Sequence, residues 1–189
     1  MTVGVLILAA GQSLRMGTDK RQLPWGDSNL IEQSLDSCRR SGLDFLVALS
    51  ERDSGHPIAI KLGSTSIAIK NADLGLGHTL ANSIDRLPES WEALIVHLAD
   101  MPLVKSTTLT QIASELHQHT IVIPKHQQKR GNPRGFARGL WPKLKELKGD
   151  QGAKPVIMQH PEMVYELDVD DPGILIDIDT QEDYKIWRG

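Results

Sequence analysis

A segment rich in small residues follows the first apolar run of the chain and has the residue types that bind polyphosphate. Residues 8–20 read LAAGQSLRMGTDK. Gly11 and Gly17 allow a tight turn and a close approach to phosphate without a Cβ in the way, and Arg15 and Lys20 supply two cations. The spacing fits neither a P-loop nor the dinucleotide fingerprint. A surface connection with incidental charges is the alternative, but this combination after a buried strand favours phosphate binding.

A carboxylate that could hold a metal ion follows another apolar run. Asp100 comes directly after the run Ala93–Leu98 and Ala99, and Met101-Pro102 then ends strand pairing. In an open parallel sheet ligands bind beyond the carboxyl ends of the strands, and Mg²⁺ prefers one or two carboxylates plus substrate phosphate oxygens. A simple turn, or a cap of the next helix, explains Asp100 equally well from spacing alone.

A second pair of acids lies near the end of the chain. Asp177 and Asp179 are two residues apart at Ile174–Ile178, which reads as a last strand, so the period of a strand would place both on one face. The alternative is that Asp179 or Thr180 begins the last helix as its cap. We expect Asp179 to be that cap and Asp177 to be the second metal contact.

The elements that position these residues follow an alternating pattern. Short runs rich in Val and Ile alternate with segments of helical period, which predicts an α/β fold. We expect a single-domain, Rossmann-like, three-layer α/β/α sandwich with a mostly parallel sheet, and no linker divides residues 1–189. The predicted strands after the first are Asp44–Leu49, Ser66–Lys70, Ala93–Leu98 and Thr120–Pro124.

Composition excludes several classes of protein. The single cysteine excludes an intrachain disulfide framework and a multi-cysteine metal site. The net charge of −3 gives no reason to expect nucleic acid as a partner. No apolar run reaches the roughly 18 residues of a membrane span, and no basic leader precedes the first run, so we expect no membrane partner and a cytoplasmic protein. Residues 125–148 nevertheless hold eight basic side chains and one acid, either as a solvated face or to meet an anionic substrate.

The motifs together resemble a known family. Residues 8–20 with LPWG at 23–26, GLGHTL at 75–80, LADMP at 98–102, GNP at 131–133, GDQGAK at 149–154 and DIDTQEDY at 177–184 are similar, in order and spacing, to the molybdenum-cofactor nucleotidyltransferases of the nucleoside-triphosphate transferase superfamily. The Ala-Ala-Gly form of the first motif, with Pro-Trp-Gly after it, resembles the cytidylyltransferase branch more than the guanylyltransferase branch.

The resemblance implies a magnesium-dependent nucleotidyltransferase. It would transfer a nucleoside monophosphate from a nucleoside triphosphate, CTP by preference, to a phosphorylated small molecule, the molybdopterin cofactor, and release pyrophosphate. Residues 1–105 would bind the nucleotide and residues 106–189 the acceptor, with a molybdoenzyme as a possible client. A GTP-dependent guanylyltransferase, a sugar-phosphate nucleotidyltransferase and a non-catalytic accessory protein for cofactor insertion are the alternatives.

The resemblance also assigns roles to residues. Arg15 and Lys20 would hold the triphosphate and Asp100 the Mg²⁺. Asn71 stands where the guanylyl branch tends to have an acid; an amide suits cytosine, although a turn-forming Asn is the alternative. Thr79 could instead be a helix N-cap. The expected nucleotide contacts are Leu8, Ala9, Ala10, Gly11, Gln12, Ser13, Asn71, Gly75, Gly77 and Thr79.

The acceptor is expected to meet the basic segment. Asn132, Arg134 and Lys154 are the candidate contacts, and Asp150 is expected to cap the helix after it. Many relatives have His at the position of Asn132 and an apolar residue at the position of Arg134, so the acceptor's identity depends on this departure. His97, within a predicted strand, is expected to be a core histidine with its hydrogen bonds satisfied rather than a base.

Overall fold

The computed structural model describes residues 1–11 and 19–188, and its main element is one twisted sheet. The strands in chain order are β1 Val3–Leu8, β2 Pro24–Trp25, β3 Ser28–Asn29, β4 Asp44–Ser50, β5 Ser66–Ile69, β6 Ala93–Leu98, β7 Ile121–His126, β8 Lys129–Arg130, β9 Arg134–Ala137 and β10 Val164–Asp168. Strands β2 and β3 form a separate antiparallel pair.

The main sheet is mostly parallel. Its order is β10-β7-β9-β6-β1-β4-β5, with β8 paired onto β7. Strand β1 runs parallel to β4 and β6, β4 parallel to β5, and β7 parallel to β10, while β9 is antiparallel between β6 and β7. All six residues of β1 are buried, as expected for a strand covered on both faces.

Helices cover both faces of this sheet. They are α1 Leu30–Ser41, α2 Pro57–Leu62, α3 Leu76–Ser83, α4 Ser106–Glu115, α5 Trp141–Lys145, α6 Lys154–Gln159 and α7 Gln181–Trp187. Alternate residues of β1 enter two apolar clusters: Leu6 and Leu8 pack with α3, α5 and α6, and Val5 and Ile7 with α1, α2 and α4. The predicted α/β/α sandwich is therefore confirmed. None of the described helices is long and apolar enough to cross a membrane.

The predicted last strand is wrong. Pro172–Leu175 forms a 3-10 helix, which begins where the Asp171 carboxylate accepts a hydrogen bond from the Gly173 amide. The chain after it is neither helix nor strand up to Thr180. The amide of Ile178 donates to the Asp100 carbonyl (2.9 Å), so this segment lies against the end of β6 instead of joining the sheet.

Candidate active site

The carboxyl ends of the central strands form a cleft. The Ala9 amide donates to the Ala48 carbonyl and the Ala99 amide to the Leu8 carbonyl, which continues the parallel pairing just past β1 and β6. A cavity of about 420 Å³ lies at this end of the strands. Predicted site residues that line it are Leu8, Ala9, Gly11, Lys20, Asp100 and Asp177.

A lysine joins two carboxylates in this cavity, which we call the acidic cleft because Asp100, Asp150, Asp177 and Asp179 line it. Lys20 lies in a 3-10 helix, Lys20–Gln22, and its Nζ donates to Asp100 Oδ2 and to Asp179 Oδ1, each at 2.7 Å. Burial alone would lower the pKa of Lys20, but the charges and hydrogen bonds of Asp100 and Asp179 raise it above its usual value. The ammonium group therefore stays charged at physiological pH.

The carboxylates retain capacity for a cation. Asp100 Oδ1 is buried and has no hydrogen-bond partner among the described residues, although its other oxygen is bound to Lys20. Partial desolvation, followed by the charges of Asp179 and Asp100, raises the pKa of Asp177, as expected of carboxylates crowded together. No group of three His, Cys, Asp or Glu side chains in the described part forms a ready metal site. Asp100 and Asp177 are the carboxylates of the cleft that would hold a divalent cation, with phosphate oxygens and water completing its shell.

The expected role of Asp179 as a helix cap is wrong. Thr180 is the N-cap of α7: its hydroxyl accepts from the Asp183 amide, and the Asp183 carboxylate accepts from the Thr180 amide. The carboxylate of Asp179 instead forms an ion pair with Lys20. The sequence contained the signal, because Thr180 and Asp183 have the spacing of a capping box, which leaves the residue before Thr180 free for another role.

The three predicted acceptor residues lie together in a second cavity. Asn132, Arg134 and Lys154 line a space of about 190 Å³, the cationic cavity. Apolar side chains that also line it are Leu8, Leu76, Leu80, Val96, Leu98 and Phe136. It adjoins the acidic cleft, since Leu8, Leu76, Leu98 and Asp150 line both.

Arg134 is the main charge of the cationic cavity. Its Nε donates to the Gly131 carbonyl (3.2 Å), and no acidic side chain within the described ranges pairs with it. Burial, and then the charge of Arg130, lowers the pKa of Arg134. A partly buried guanidinium without a counter-ion is suited to bind an anionic group of a ligand.

Several predicted nucleotide contacts line neither cavity. Gly75 and Gly77 pack against the backbone of 148–150: the Gly77 amide donates to the Gly149 carbonyl at 2.8 Å, and a Cβ on Gly75 would lie 2.6 Å from Gly149. The buried Thr79 is within α3 and its hydroxyl donates to the Gly75 carbonyl, so it is not an N-cap. Asn71 is exposed in a left-handed turn conformation (φ 50°).

Asp150 also differs from its expected role. It does not cap α6, whose N-cap is Ala153 and has no side-chain cap bond. The carboxylate of Asp150 instead accepts a hydrogen bond from the Leu76 amide (3.1 Å) at the start of α3, because Gly75 and Gly77 allow the 148–150 turn to pack against the start of that helix. The expected contacts Gln12, Ser13 and Arg15 lie outside the described residues.

The comparisons with known proteins identify the chain as an α/β nucleotidyltransferase. A family model described as the MobA-like NTP transferase domain matches residues 5–164. The chain belongs to this family. The resemblance to the molybdenum-cofactor nucleotidyltransferases is thereby confirmed.

Individual relatives cover different shares of the chain. Purine catabolism protein PucB of Bacillus subtilis is 28% identical over 198 residues, 98% of this chain and 95% of that protein. A molybdenum cofactor guanylyltransferase of Xanthomonas euvesicatoria is 31% identical over 121 residues, 62% of this chain and 56% of that one. The crystal structure of Rv0371c from Mycobacterium tuberculosis matches with a TM-score of 0.87 at 27% identity, covering 98% and 97% of the two chains. Its complex with manganese matches with a TM-score of 0.84 at 26% identity, with the same coverage.

Proposed function

We propose that this protein transfers the nucleoside monophosphate of CTP to the phosphate group of the molybdopterin cofactor and releases pyrophosphate, in a magnesium-dependent reaction. The observation that carries the proposal is the pair of adjoining cavities at one edge of the sheet. One is lined by four carboxylates, a lysine and an arginine, and the other by two cations and a set of apolar side chains.

The acidic cleft is the proposed site of the triphosphate. Asp100 and Asp177 would hold Mg²⁺, and the buried, unpartnered oxygen of Asp100 supports this assignment. When bound, the ion offsets the negative charge of the phosphates. Lys20, together with Arg15, would bind the phosphates and offset the charge of the leaving pyrophosphate. The manganese complex of Rv0371c supports a divalent cation.

The cationic cavity is the proposed site of the acceptor. Arg134 and Lys154 would bind an anionic group, Asn132 would donate or accept a hydrogen bond, and the apolar floor suits a heterocycle. An acceptor phosphate oxygen would attack the α-phosphorus as the bond to the β-phosphate breaks. A phosphate monoester has its second pKa at about 6 and is ionised at neutral pH, so no general base is needed.

The choice of CTP rests on the Ala-Ala-Gly motif and on the amide of Asn71, which is exposed at a turn. GTP is the second candidate, because the guanylyltransferase relative is 31% identical over 121 residues. A molybdoenzyme client would receive the product. The nucleotide residues Lys20 and Asp100 fall in 1–105 and the acceptor residues in 106–189, and a cytoplasmic location agrees with such substrates.

The test is to incubate the protein with each of the four nucleoside triphosphates, Mg²⁺ and molybdopterin, and to measure pyrophosphate and the nucleotide attached to the pterin. We expect both products with CTP and neither when the acceptor is omitted. Products with GTP alone would replace CTP by GTP in the proposal. No product with any triphosphate would refute the proposed transfer, and nucleotide-dependent binding of a molybdoenzyme without turnover would then favour the accessory protein.

A further inference from the structure

We propose that Arg21 is a positioning residue that sets the place of Lys20 in the acidic cleft; the proposal rests on the proposed function, in which Lys20 binds the triphosphate. The two residues are neighbours in the 3-10 helix Lys20–Gln22 but reach different acids. Lys20 bonds to Asp100 and Asp179, and Arg21 bonds to Asp19 and Asp53.

The guanidinium of Arg21 uses its full set of donors. Nε and Nη2 donate to the two oxygens of Asp19, each at 2.9 Å. Nη1 and Nη2 donate to the two oxygens of Asp53, at 2.7 and 2.8 Å. Nη1 also donates to the Ala9 carbonyl at 3.0 Å. Two bidentate carboxylate pairs and a carbonyl fix the plane of the guanidinium as well as its position.

These partners come from three separate parts of the chain. Ala9 follows β1, Asp53 ends the 3-10 helix Glu51–Asp53 directly after β4, and Asp19 precedes Lys20. Asp53 is itself fixed, since its Oδ2 accepts from the Ser50 amide (3.1 Å) in a capping box. The cluster therefore ties the start of the Lys20 helix to the ends of two adjacent strands of the sheet.

The consequence for Lys20 follows from the short connection between the two residues. One peptide unit links them, so displacement of Arg21 displaces the backbone from which Lys20 reaches Asp100 and Asp179. A shift of about 1 Å at a charged group can lower an enzyme's rate about 100-fold. Lysine is a poor substitute at position 21, because an ammonium group cannot make two bidentate carboxylate pairs at once.

The primary test compares Arg21→Gln with Arg52→Gln, a matched control. Arg52 lies beside Asp53 and makes an exposed ion pair with Asp73 at 3.4 Å. Calorimetric titration with CTP and, separately, with GTP, each in the presence of Mn²⁺, gives the nucleotide affinity, and the transfer assay gives kcat and KM. Both measurements are made at a temperature well below the Tm of each variant. We expect Arg21→Gln to lower kcat/KM about 10- to 100-fold and to weaken nucleotide binding, Arg21→Lys to lie between it and the wild type, and Arg52→Gln to match the wild type.

A double-mutant cycle separates positioning from a general structural role. If Arg21 acts through Lys20, Arg21→Gln in a Lys20→Met background weakens nucleotide binding little beyond Lys20→Met alone. An equal factor in both backgrounds, or an Arg21→Gln protein with wild-type affinity and kinetics, overturns the proposal. If Arg21→Gln does not fold, Arg21→Lys and Asp53→Asn provide the same cycle. A wild-type protein that binds neither triphosphate refutes the proposed function together with the positioning role, whereas wild-type transfer unaffected at position 21 refutes only the latter.

Discussion

The acidic cleft and the cationic cavity share a wall but hold their charges differently. In the acidic cleft, Lys20 lies between Asp100 and Asp179, so the charges are already paired. In the cationic cavity, Arg134 has a backbone carbonyl as its hydrogen-bond partner and no acidic partner in the described part. The first arrangement must be rearranged when a ligand binds, whereas the second gains its counter-ion from the ligand.

This difference indicates which substrate each cavity discriminates. Paired charges suit groups that are common to all nucleoside triphosphates, since phosphates and a divalent cation exchange for contacts already present. An unpaired, partly buried cation stabilises a complex only when the ligand brings an anion to the right place, so under the proposed function it would select among acceptors. Changing one cavity and measuring the effect on each substrate tests this assignment.

Asp100→Asn has the largest expected effect. It keeps the shape of the side chain but removes the charge that pairs with Lys20 and faces the proposed cation, so we expect kcat to fall by about 10³-fold. The transfer assay measures this, and binding of Mn²⁺ in the presence of CTP should weaken in parallel. A matched control is Asp36→Asn, which removes an acid of α1 that pairs with Arg40 at the surface. Full activity of Asp100→Asn would remove the acidic cleft from the reaction.

The second largest expected effect is the loss of stability at low pH that His97 causes. It limits the pH range in which activities of the two cavities can be compared. His97 lies on β6 between Val96 and Leu98 but faces the opposite side of the sheet, fully buried, and neither ring nitrogen has a hydrogen-bond partner among the described residues. The expectation of a core histidine is therefore confirmed, but that of satisfied hydrogen bonds is wrong. Burial lowers the pKa of His97 to about 4 from 6.5.

The direction of the pH dependence follows from the linkage between proton binding and folding. Below pH 6.5 His97 binds a proton in the unfolded chain, whereas in the folded chain it binds one only near pH 4. The free energy of unfolding therefore falls by roughly 3 kcal/mol as the pH is lowered across this interval. Urea unfolding from pH 7 to 4 measures the loss. His97→Leu should flatten this part of the profile, and the exposed control His117→Asn should leave it unchanged. A wild-type profile without this slope would contradict the prediction.

Arg134→Gln is expected to act on the acceptor alone. Losing a charge-assisted contact of about 1.5–3 kcal/mol raises the KM of the acceptor about 10- to 100-fold, with little change in the KM of the nucleotide. Initial rates at saturating concentrations of the other substrate measure each value. Arg130→Gln is the control, because Arg130 is an exposed residue of the same basic segment that pairs with Glu166. A rise in the nucleotide KM instead would exchange the roles of the two cavities.

The sequence predicted the elements that bury apolar runs. Strands β1, β4 and β6 correspond to continuous Val- and Ile-rich runs, and each of these three lies within two residues of the run that predicted it. Asp100 was placed correctly at the end of β6 because a carboxylate after a buried strand must leave the sheet there. Arg134 and Lys154 were grouped through the family resemblance.

What sequence could not predict depends on contacts between distant parts of the chain. Arg21 meets Asp53 across 32 positions and Lys20 meets Asp179 across 159, and no local pattern encodes such pairs. The stretch 174–178 has the alternation of a strand, but no free edge of the sheet takes it; it packs on the end of β6. The packing of Gly75 and Gly77 against the backbone of 148–150 is another contact between distant parts of the chain, and it leaves no local signal in the sequence.

The smallest expected difference decides which acid works with Asp100. The sequence pointed to Asp177, but the structure gives Asp179 the contact with Lys20 and leaves the Asp177 side chain largely exposed, with its pKa raised by partial desolvation and by the charges of Asp179 and Asp100. If the acid in contact with Lys20 is the more important, Asp179→Asn lowers kcat/KM for the nucleotide about tenfold, roughly the worth of one charge-assisted contact, and Asp177→Asn by less. Asp177→Asn should also raise Tm slightly, since it removes a carboxylate whose ionised form is disfavoured in the fold. The transfer assay and thermal unfolding of the two variants measure these effects under one set of conditions. A larger loss of activity for Asp177→Asn, with no gain in Tm, would return the role of second metal contact to Asp177, because a residue that holds the cation should lose function without gaining stability.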